Sequence, residues 1–245
     1  MSALTETLDG ALAVGLLFGA APWTAFQIAR RDLDREAARA LALAHTSSVR
    51  RRARIRLDCR GEPDRRPDGS AFVLVYNQTS MADDLGNLEV LWRFTDYSVL
   101  AAEYGYIPFF RAASDKIVIV LMQRGNRTAT DRTLDRLVEA ASAGAVVSVA
   151  AEGRLSPDGR VGHFKRGAFL VAIRAGVPIV PMAVQGGREI LRPGSVRLRP
   201  GTLRYRFGAA IPVAGIAEDG APALAEHTRQ VVAGLVAEAA AQGSS

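Results

Sequence analysis

Short apolar runs alternate with longer segments of helical period along most of this chain. Phe72 to Tyr76, Ser98 to Ala102, Ile117 to Met122, Ala145 to Ala151 and Val177 to Val184 are each too brief for a helix. Most are rich in β-branched residues, so they predict buried strands. Between them, Asp84 to Phe94, Thr128 to Ala143 and Phe164 to Ala175 carry the spacing of amphipathic helices. Thr128 or Thr130 is the expected cap of the second, and Gly144 and Gly176 stop the last two. Leu224 to Ala240 predicts a closing helix. Two runs have period two instead, Arg54 to Arg60 and Leu203 to Phe207. Their arginines on alternate positions predict edge or half-exposed strands. Gly61 to Gly69, with two prolines, reads as a surface turn. Such alternation predicts an α/β fold: three layers, α/β/α, around a mostly parallel mixed sheet. Residues 1–49 form an N-terminal helical segment divided near Pro22, and residues 50–245 the α/β domain. There is no internal repeat, and no linker separates further domains.

The run Gly10 to Ala29 is uncharged and is followed by Arg30-Arg31. Its length approaches the roughly 20 residues that span hydrocarbon. Pro22, Thr24, Gln27 and small residues around Gly19 dilute it, and an acidic start (Glu6, Asp9) lacks the positive region of a secretory signal. The expectation is a helix on a membrane surface or packed on the domain, with a true span the weakest of the three readings.

Charge narrows the partners. With a net charge of +6 and a pI near 10.1, the chain favours acidic ones: phosphate, a nucleotide-bearing thioester, an acidic carrier protein or an anionic membrane surface. From Arg50 to Arg66 there are eight arginines against three acids. No aromatic-studded basic stripe or recognition motif accompanies them, so nucleic acid is not an expected partner. A single cysteine, Cys59, rules out an internal disulfide and fits a reducing compartment. No Cys/His metal spacing, phosphate loop or dinucleotide fingerprint is present, so neither a metal nor a resident cofactor is expected.

Candidate chemistry lies in the polar stretches after the apolar runs, where α/β proteins place their sites. Asn77-Gln78-Thr79-Ser80-Met81-Ala82-Asp83 follows the first strand. Arg124 ends the run Ile117 to Gln123. Ala151-Glu152-Gly153-Arg154-Leu155-Ser156 and Gly162-His163-Phe164-Lys165-Arg166-Gly167 flank a polar loop, and Val177-Pro178-Ile179-Val180-Pro181 closes the series. Arg124 and Arg154 offer planar forks suited to phosphate or carboxylate. Glu152-Gly153 puts a carboxylate beside permissive backbone, and Lys165 and Arg166 open a helix.

Together these blocks resemble the glycerophosphate and lysophospholipid acyltransferases, the 1-acylglycerol-3-phosphate acyltransferase-like family of phospholipid biosynthesis. The likeness covers roughly Phe72 to Val184. It implies transfer of an acyl group from a thioester, on coenzyme A or acyl carrier protein, to an acceptor hydroxyl with no covalent enzyme intermediate. Asn77, Ser80, Arg124, Glu152, Gly153, Arg154, Lys165 and Arg166 would bind substrate, and positions 78 and 83 would do the chemistry. In the family the first of those is His, which takes the hydroxyl proton, and the second an Asp that orients it. Here they are Gln78 and Asp83, and an amide has no useful basicity at neutral pH.

Three versions follow. Gln78 replaces a natural His; or the chain works by positioning, aided by a more nucleophilic acceptor such as an amine; or it is an inactive acyl-chain or carrier-protein binding module. Asp83 and Asp84 share the loop but are weak bases towards an alcohol, and His163 is an alternative base. His45 and His227 read as structural. The expected location is cytoplasmic, peripheral on the inner face of a membrane.

Overall fold

The computed structural model describes residues 21–63, 71–123, 125–156, 158–192, 195 and 197–242. Half of the apolar run Gly10 to Ala29, most of the predicted turn at 61–69, and Arg124 lie outside them. Residues 21–30 are helical (α1). A break at 31–34 follows, and Asp34 caps α2 (Arg35–Arg52) by accepting from the Ala37 N–H at 2.8 Å. The remaining order is β1 (Ile55–Arg60), β2 (Val73–Tyr76), α3 (Asp84–Leu91), β3 (Tyr97–Ala101), α4 (Phe110–Ile117), β4 (Ile119–Met122), α5 (Arg127–Ser142), β5 (Val147–Ala150), α6 (Gly167–Ala175), β6 (Ile179–Gln185), α7 (Gly187–Ile190), β7 (Gly201–Phe207) and α8 (Ala221–Ala241).

Seven strands form one sheet in the order β1-β7-β6-β2-β5-β3-β4. β2 to β6 run parallel. β7 lies antiparallel to β6, and β1 parallel to β7. Both faces are covered, as the near-continuous apolar runs demand. On one side α5, α6 and α8 pack over Val73, Val75, Val147, Ile179 and Ala183. On the other, α2, α3 and α4 cover Leu74, Tyr76, Met182, Leu203 and Ile119. The α/β/α architecture expected from the sequence is therefore present.

Three local expectations change. β7 is an interior strand, not an edge. Its Arg206 is 2% exposed and is held there by Asp58 on β1 (Nη2 to Oδ2, 2.7 Å) and by the Gln242 side chain (Nε to Oε1, 3.1 Å). A paired arginine inside a sheet looks the same in sequence as one facing water. The α5 cap is Asn126, whose side chain accepts from the Ala129 N–H at 3.0 Å, and not Thr128 or Thr130. Ile117 belongs to α4, a helix the apolar run concealed. Val118 then turns the chain with a φ of 61°, so that β4 begins at Ile119. A β-branched residue rarely adopts that conformation, which is why the strand looked longer than it is.

Candidate active site

The carboxyl ends of β2 and β5 lie side by side, and the loops leaving them build the site. Asn77 ends β2 with a clamp: its side-chain oxygen accepts from the Val184 N–H at 2.8 Å, and its amide donates to the Val184 carbonyl at 3.0 Å. The carboxamide adds a rung to the β2–β6 ladder after the backbone has turned away. Ser80 is also a scaffold. Its hydroxyl accepts from the Ala82 N–H and donates to the Leu191 carbonyl at 3.1 Å. It forms a capping box with Asp83.

Asp83 is 0% exposed. Its Oδ2 accepts from the N–H groups of Thr79 (2.8 Å) and Ser80 (2.9 Å), while Oδ1 has no partner among the described residues. Gly187 backs it so closely that a side chain there would run into the carboxylate. Burial, partly opposed by those two amides, pushes Asp83 up to about 7. Residue 78 does not meet this acid. Gln78 Nε2 donates instead to Asp84 Oδ1 at 2.8 Å, and Asp84 Oδ2 accepts from the Tyr104 hydroxyl at 2.9 Å. Asn87 adds a longer bond to Asp84 Oδ1 at 3.3 Å. Burial raises Asp84 to about 6 against these donors.

From β5, Ala151 leads into Glu152, which is 5% exposed. Glu152 Oε2 accepts from the Gly162 N–H at 3.1 Å, Oε1 has no hydrogen-bond partner among the described residues, and burial raises its pKa. Gly153 has a φ of 66°, and a Cβ there would stand 3.1 Å from the Lys165 side chain. The loop is tied to its neighbour where the Ser156 N–H donates to the Gln78 carbonyl at 3.0 Å and the Lys165 N–H to the Ala151 carbonyl at 2.8 Å.

A cavity of about 970 Å³ opens beside Gln78. Its floor is apolar, from Val99, Met122, Leu134, Val149, Leu170 and Val171, between the sheet and helices α5 and α6. Gln78, Tyr104 and Gly153 also line it, with the exposed cations Arg154, Lys165 and Arg166 on the loops and the exposed Arg127, Asp131, Asp135 and Arg174 on α5 and α6. Such a chamber suits a molecule with a long apolar part and an anionic end.

Of the residues expected from sequence, Gln78, Gly153, Arg154, Lys165 and Arg166 thus line one cavity. Asn77, Ser80, Asp83 and Glu152 lie behind it and fix its wall. Arg124 is outside the described residues. His163 is exposed and does not line the cavity. Cys59 is half-buried on β1, its thiol pushed up to about 11 by burial, which suits no nucleophile. Sequence reasoning missed Tyr104, which lies 26 positions beyond Gln78 in the turn Ala102–Tyr106 and carries no local signal. The apolar floor was missed as well, because its residues look like ordinary core.

The fold is thus α/β/α, with an apolar chamber and exposed cations at the carboxyl ends of its parallel strands. The comparison with known families supplies the rest. Residues 56–185, more than half of the chain, match the family described as Acyltransferase, and the chain belongs to that family. Among curated relatives, a chloroplastic 1-acyl-sn-glycerol-3-phosphate acyltransferase of Brassica napus is 37% identical over 89 residues, 36% of this chain and 26% of that protein. The putative 1-acyl-sn-glycerol-3-phosphate acyltransferase acl-2 of Caenorhabditis elegans is 26% identical over 167 residues, 67% of this chain and 58% of that protein. The matches thus span between a quarter and three fifths of those relatives. The crystal structure of the 1-acyl-sn-glycerophosphate acyltransferase PlsC of Thermotoga maritima superposes with a TM-score of 0.70 at 22% identity, covering 96% of this chain and 95% of that one. That likeness is one of fold.

Proposed function

We propose that this protein transfers an acyl group from an acyl thioester, on coenzyme A or acyl carrier protein, to a hydroxyl or amine of a lysophospholipid-like acceptor carrying an anion. The observation that supports this best is the cavity itself, with an apolar floor and a lining that also holds Gln78 and more cations than acids. An acyl chain fits the floor. The thioester carbonyl then comes to rest beside Gln78, whose second amide hydrogen, the one not given to Asp84, can donate to it. Arg154, Lys165 and Arg166 attract a phosphate or carboxylate on the acceptor, with Arg154 offering a two-pronged fork. The names of the relatives agree with a lysophosphatidate-type acceptor.

Asn77, Ser80, Asp83 and Glu152 serve the reaction by holding the loops. Arg124 belongs with the anion-binding set by its place after β4. Gln78 cannot take a proton, so the rate rests on positioning and on hydrogen bonds to the developing charge. Bringing reactants together is by itself a large term, on the order of 7–11 kcal/mol in well-oriented systems.

Docking on an acidic carrier protein or an anionic membrane surface draws on the start of β1. β1 runs opposite to β2, so its first residues rise from the same edge of the sheet as the site. Arg51, Arg52 and Arg56 are exposed there. No helix among the described residues is long and apolar enough to cross a membrane. A peripheral position on the cytoplasmic face of a membrane is the matching proposal.

The test is to mix the protein with acyl-coenzyme A or acyl-carrier protein and lysophosphatidate, and to follow free thiol and diacyl product together. Both should appear in equal amounts. Uptake of acyl chains with no thiol released would instead identify a binding module.

A further inference from the structure

The acyl-transfer reading leaves one question open: where the acceptor's proton goes when residue 78 is an amide. Asp83 is sealed beneath Gly187, holds the Thr79 and Ser80 amides, and does not line the cavity. Glu152 also lies behind the wall. His163 is outside it. Asp131 and Asp135 line the cavity from exposed turns of α5, and Asp135 sits 3.6 Å from Arg174. Tyr104 differs from all of these. It lines the cavity together with Gln78, and its hydroxyl already donates to a buried carboxylate, Asp84, at 2.9 Å.

We propose that Tyr104 is a catalytic residue, relaying the acceptor's proton to Asp84. As the acceptor oxygen or nitrogen bonds to the thioester carbonyl carbon, its proton passes to the Tyr104 oxygen, and the proton already on Tyr104 passes to Asp84 Oδ2. When the carbon–sulfur bond breaks, the thiolate recovers a proton from Tyr104, which is refilled from Asp84. The acyl ester or amide and the free thiol are the products, and both protein groups return to their first state. No oxidant, metal or further reactant is involved.

Geometry prepares each element of the relay. Asp84 Oδ1 is fixed by Gln78 at 2.8 Å and by Asn87 at 3.3 Å, which leaves Oδ2 aimed at Tyr104. Gln78 thereby acquires a positive role: it orients Asp84, where in the resembling family the side chain at that position is itself oriented by an acid. The tyrosine ring packs against Phe110, with centroids 6.1 Å apart, and its backbone carbonyl accepts from the Ile107 N–H at 3.1 Å. Burial makes the Asp84 carboxylate more basic than a surface acid. The charge on Asp84, with its burial, pushes Tyr104 upward, so the tyrosine passes protons on and is not itself a phenolate. The ionisable groups facing Asp84 are Tyr76 on β2, Asp83 on the loop, Tyr104 and Tyr205 on β7. None of these four is cationic, so among the described residues no positive group named against Asp84 cancels its basicity.

This inference rests on the acyl-transfer reading, and the experiment separates the two. Thiol release and product formation are measured for the wild type, Tyr104→Phe, Gln78→His and the double variant, with melting curves to confirm folding. In the wild-type background Tyr104→Phe should lower kcat by about tenfold or more, with KM changed less than twofold. In the Gln78→His background an imidazole accepts the proton directly, and the same change should cost several-fold less. Asp84→Asn, which keeps an acceptor for the Tyr104 hydroxyl but is not basic, should lower kcat in the wild type and remove the rise of kcat between pH 5 and 7. Equal losses from Tyr104→Phe in both backgrounds, or no loss in either, would overturn the relay while Gln78→His remained active. If neither the wild type nor Gln78→His releases thiol, the acyl-transfer reading falls and takes the relay with it.

Discussion

The inner and outer walls of the cleft hold their charges in opposite ways. On the inner wall the acids are buried, and each carboxylate is held by named donors: Asp83 by two backbone amides, Asp84 by Gln78, Asn87 and Tyr104, Glu152 by Gly162. On the outer wall Arg154, Lys165 and Arg166 are exposed. Buried groups are fixed in place, strongly coupled and costly to disturb. Exposed cations act over a distance and are screened by salt. A reaction needs both, one wall to place the reacting atoms and the other to gather an anion. The difference predicts which substitutions act on turnover and which on affinity.

The largest effect should come from the inner wall. Gln78→His places a group of similar reach where a direct proton acceptor is worth having, and kcat should rise by about tenfold or more, short of the about 10²–10⁴-fold of a base introduced where none works. Stopped assays of diacyl product at saturating thioester check this. A neutral outcome would mean that the inner wall already supplies its base in full, and the contrast between the walls would then lie in position alone.

Next in size are the clamps behind the wall. Asn77→Ala would strand the buried Val184 N–H and carbonyl and should cost about 1–3 kcal/mol of stability, read from urea unfolding. Gly187→Ala forces a methyl group against Asp83 and should lower the melting temperature while reducing kcat, because the loop carrying Gln78 must shift. If either variant altered KM alone, the division between placing and gathering would fail.

How much of this was legible beforehand follows the same division. The β2 loop and the block at Glu152-Gly153 could be read because backbone turns demand particular residues, and Ser80 and Gly153 satisfy them locally, whereas the Asn77 clamp on Val184 is long-range. The cationic rim could be read as charge next to a helix start. What escaped depends on chain segments far apart in sequence. Tyr104 reaches Asp84 across 20 residues, and Arg206 reaches Asp58 across 148. No local spacing encodes such a contact, so the first was overlooked and the second was taken for a solvent-facing arginine on an edge strand. The pairing of Gln78 with Asp84, one position beyond the acid expected from the motif, is a matter of side-chain direction that only the fold decides.

The outer wall should respond more weakly and in another parameter. Replacing Arg154 and Lys165 together by Ala should raise KM for an anionic acceptor several-fold, with kcat within about twofold, since exposed charges are each worth roughly 0–1 kcal/mol. The wild-type KM should also climb with added salt, and that of the double variant should climb less. A salt-independent KM would show that the anion is gripped by buried groups, which would place gathering on the inner wall.

The smallest expected effect is on stability against pH, and it separates the inner-wall acids from ion-paired acids elsewhere in the fold by sign. Burial raises Asp84 to about 6 and Asp83 to about 7, above the value near 4 of an unfolded chain. Between about pH 4 and 7 the folded state therefore binds more protons than the unfolded one, so these two acids lower stability as pH rises through that window. Asp58 and Glu226 are held below their ordinary values by Arg206 and Arg229, and their contribution runs the other way, lost only as the solution becomes strongly acidic. Subtracting the melting curve of Asp84→Asn from that of the wild type cancels those ion pairs. The difference should fall by on the order of 1 kcal/mol from pH 4.5 to 7.5. Turnover should rise over the same interval, because the relay needs Asp84 ionised. A group that costs stability over the range in which it gains activity is one retained for chemistry, whereas parallel slopes would mark Asp84 as a fastening of the loop and nothing more.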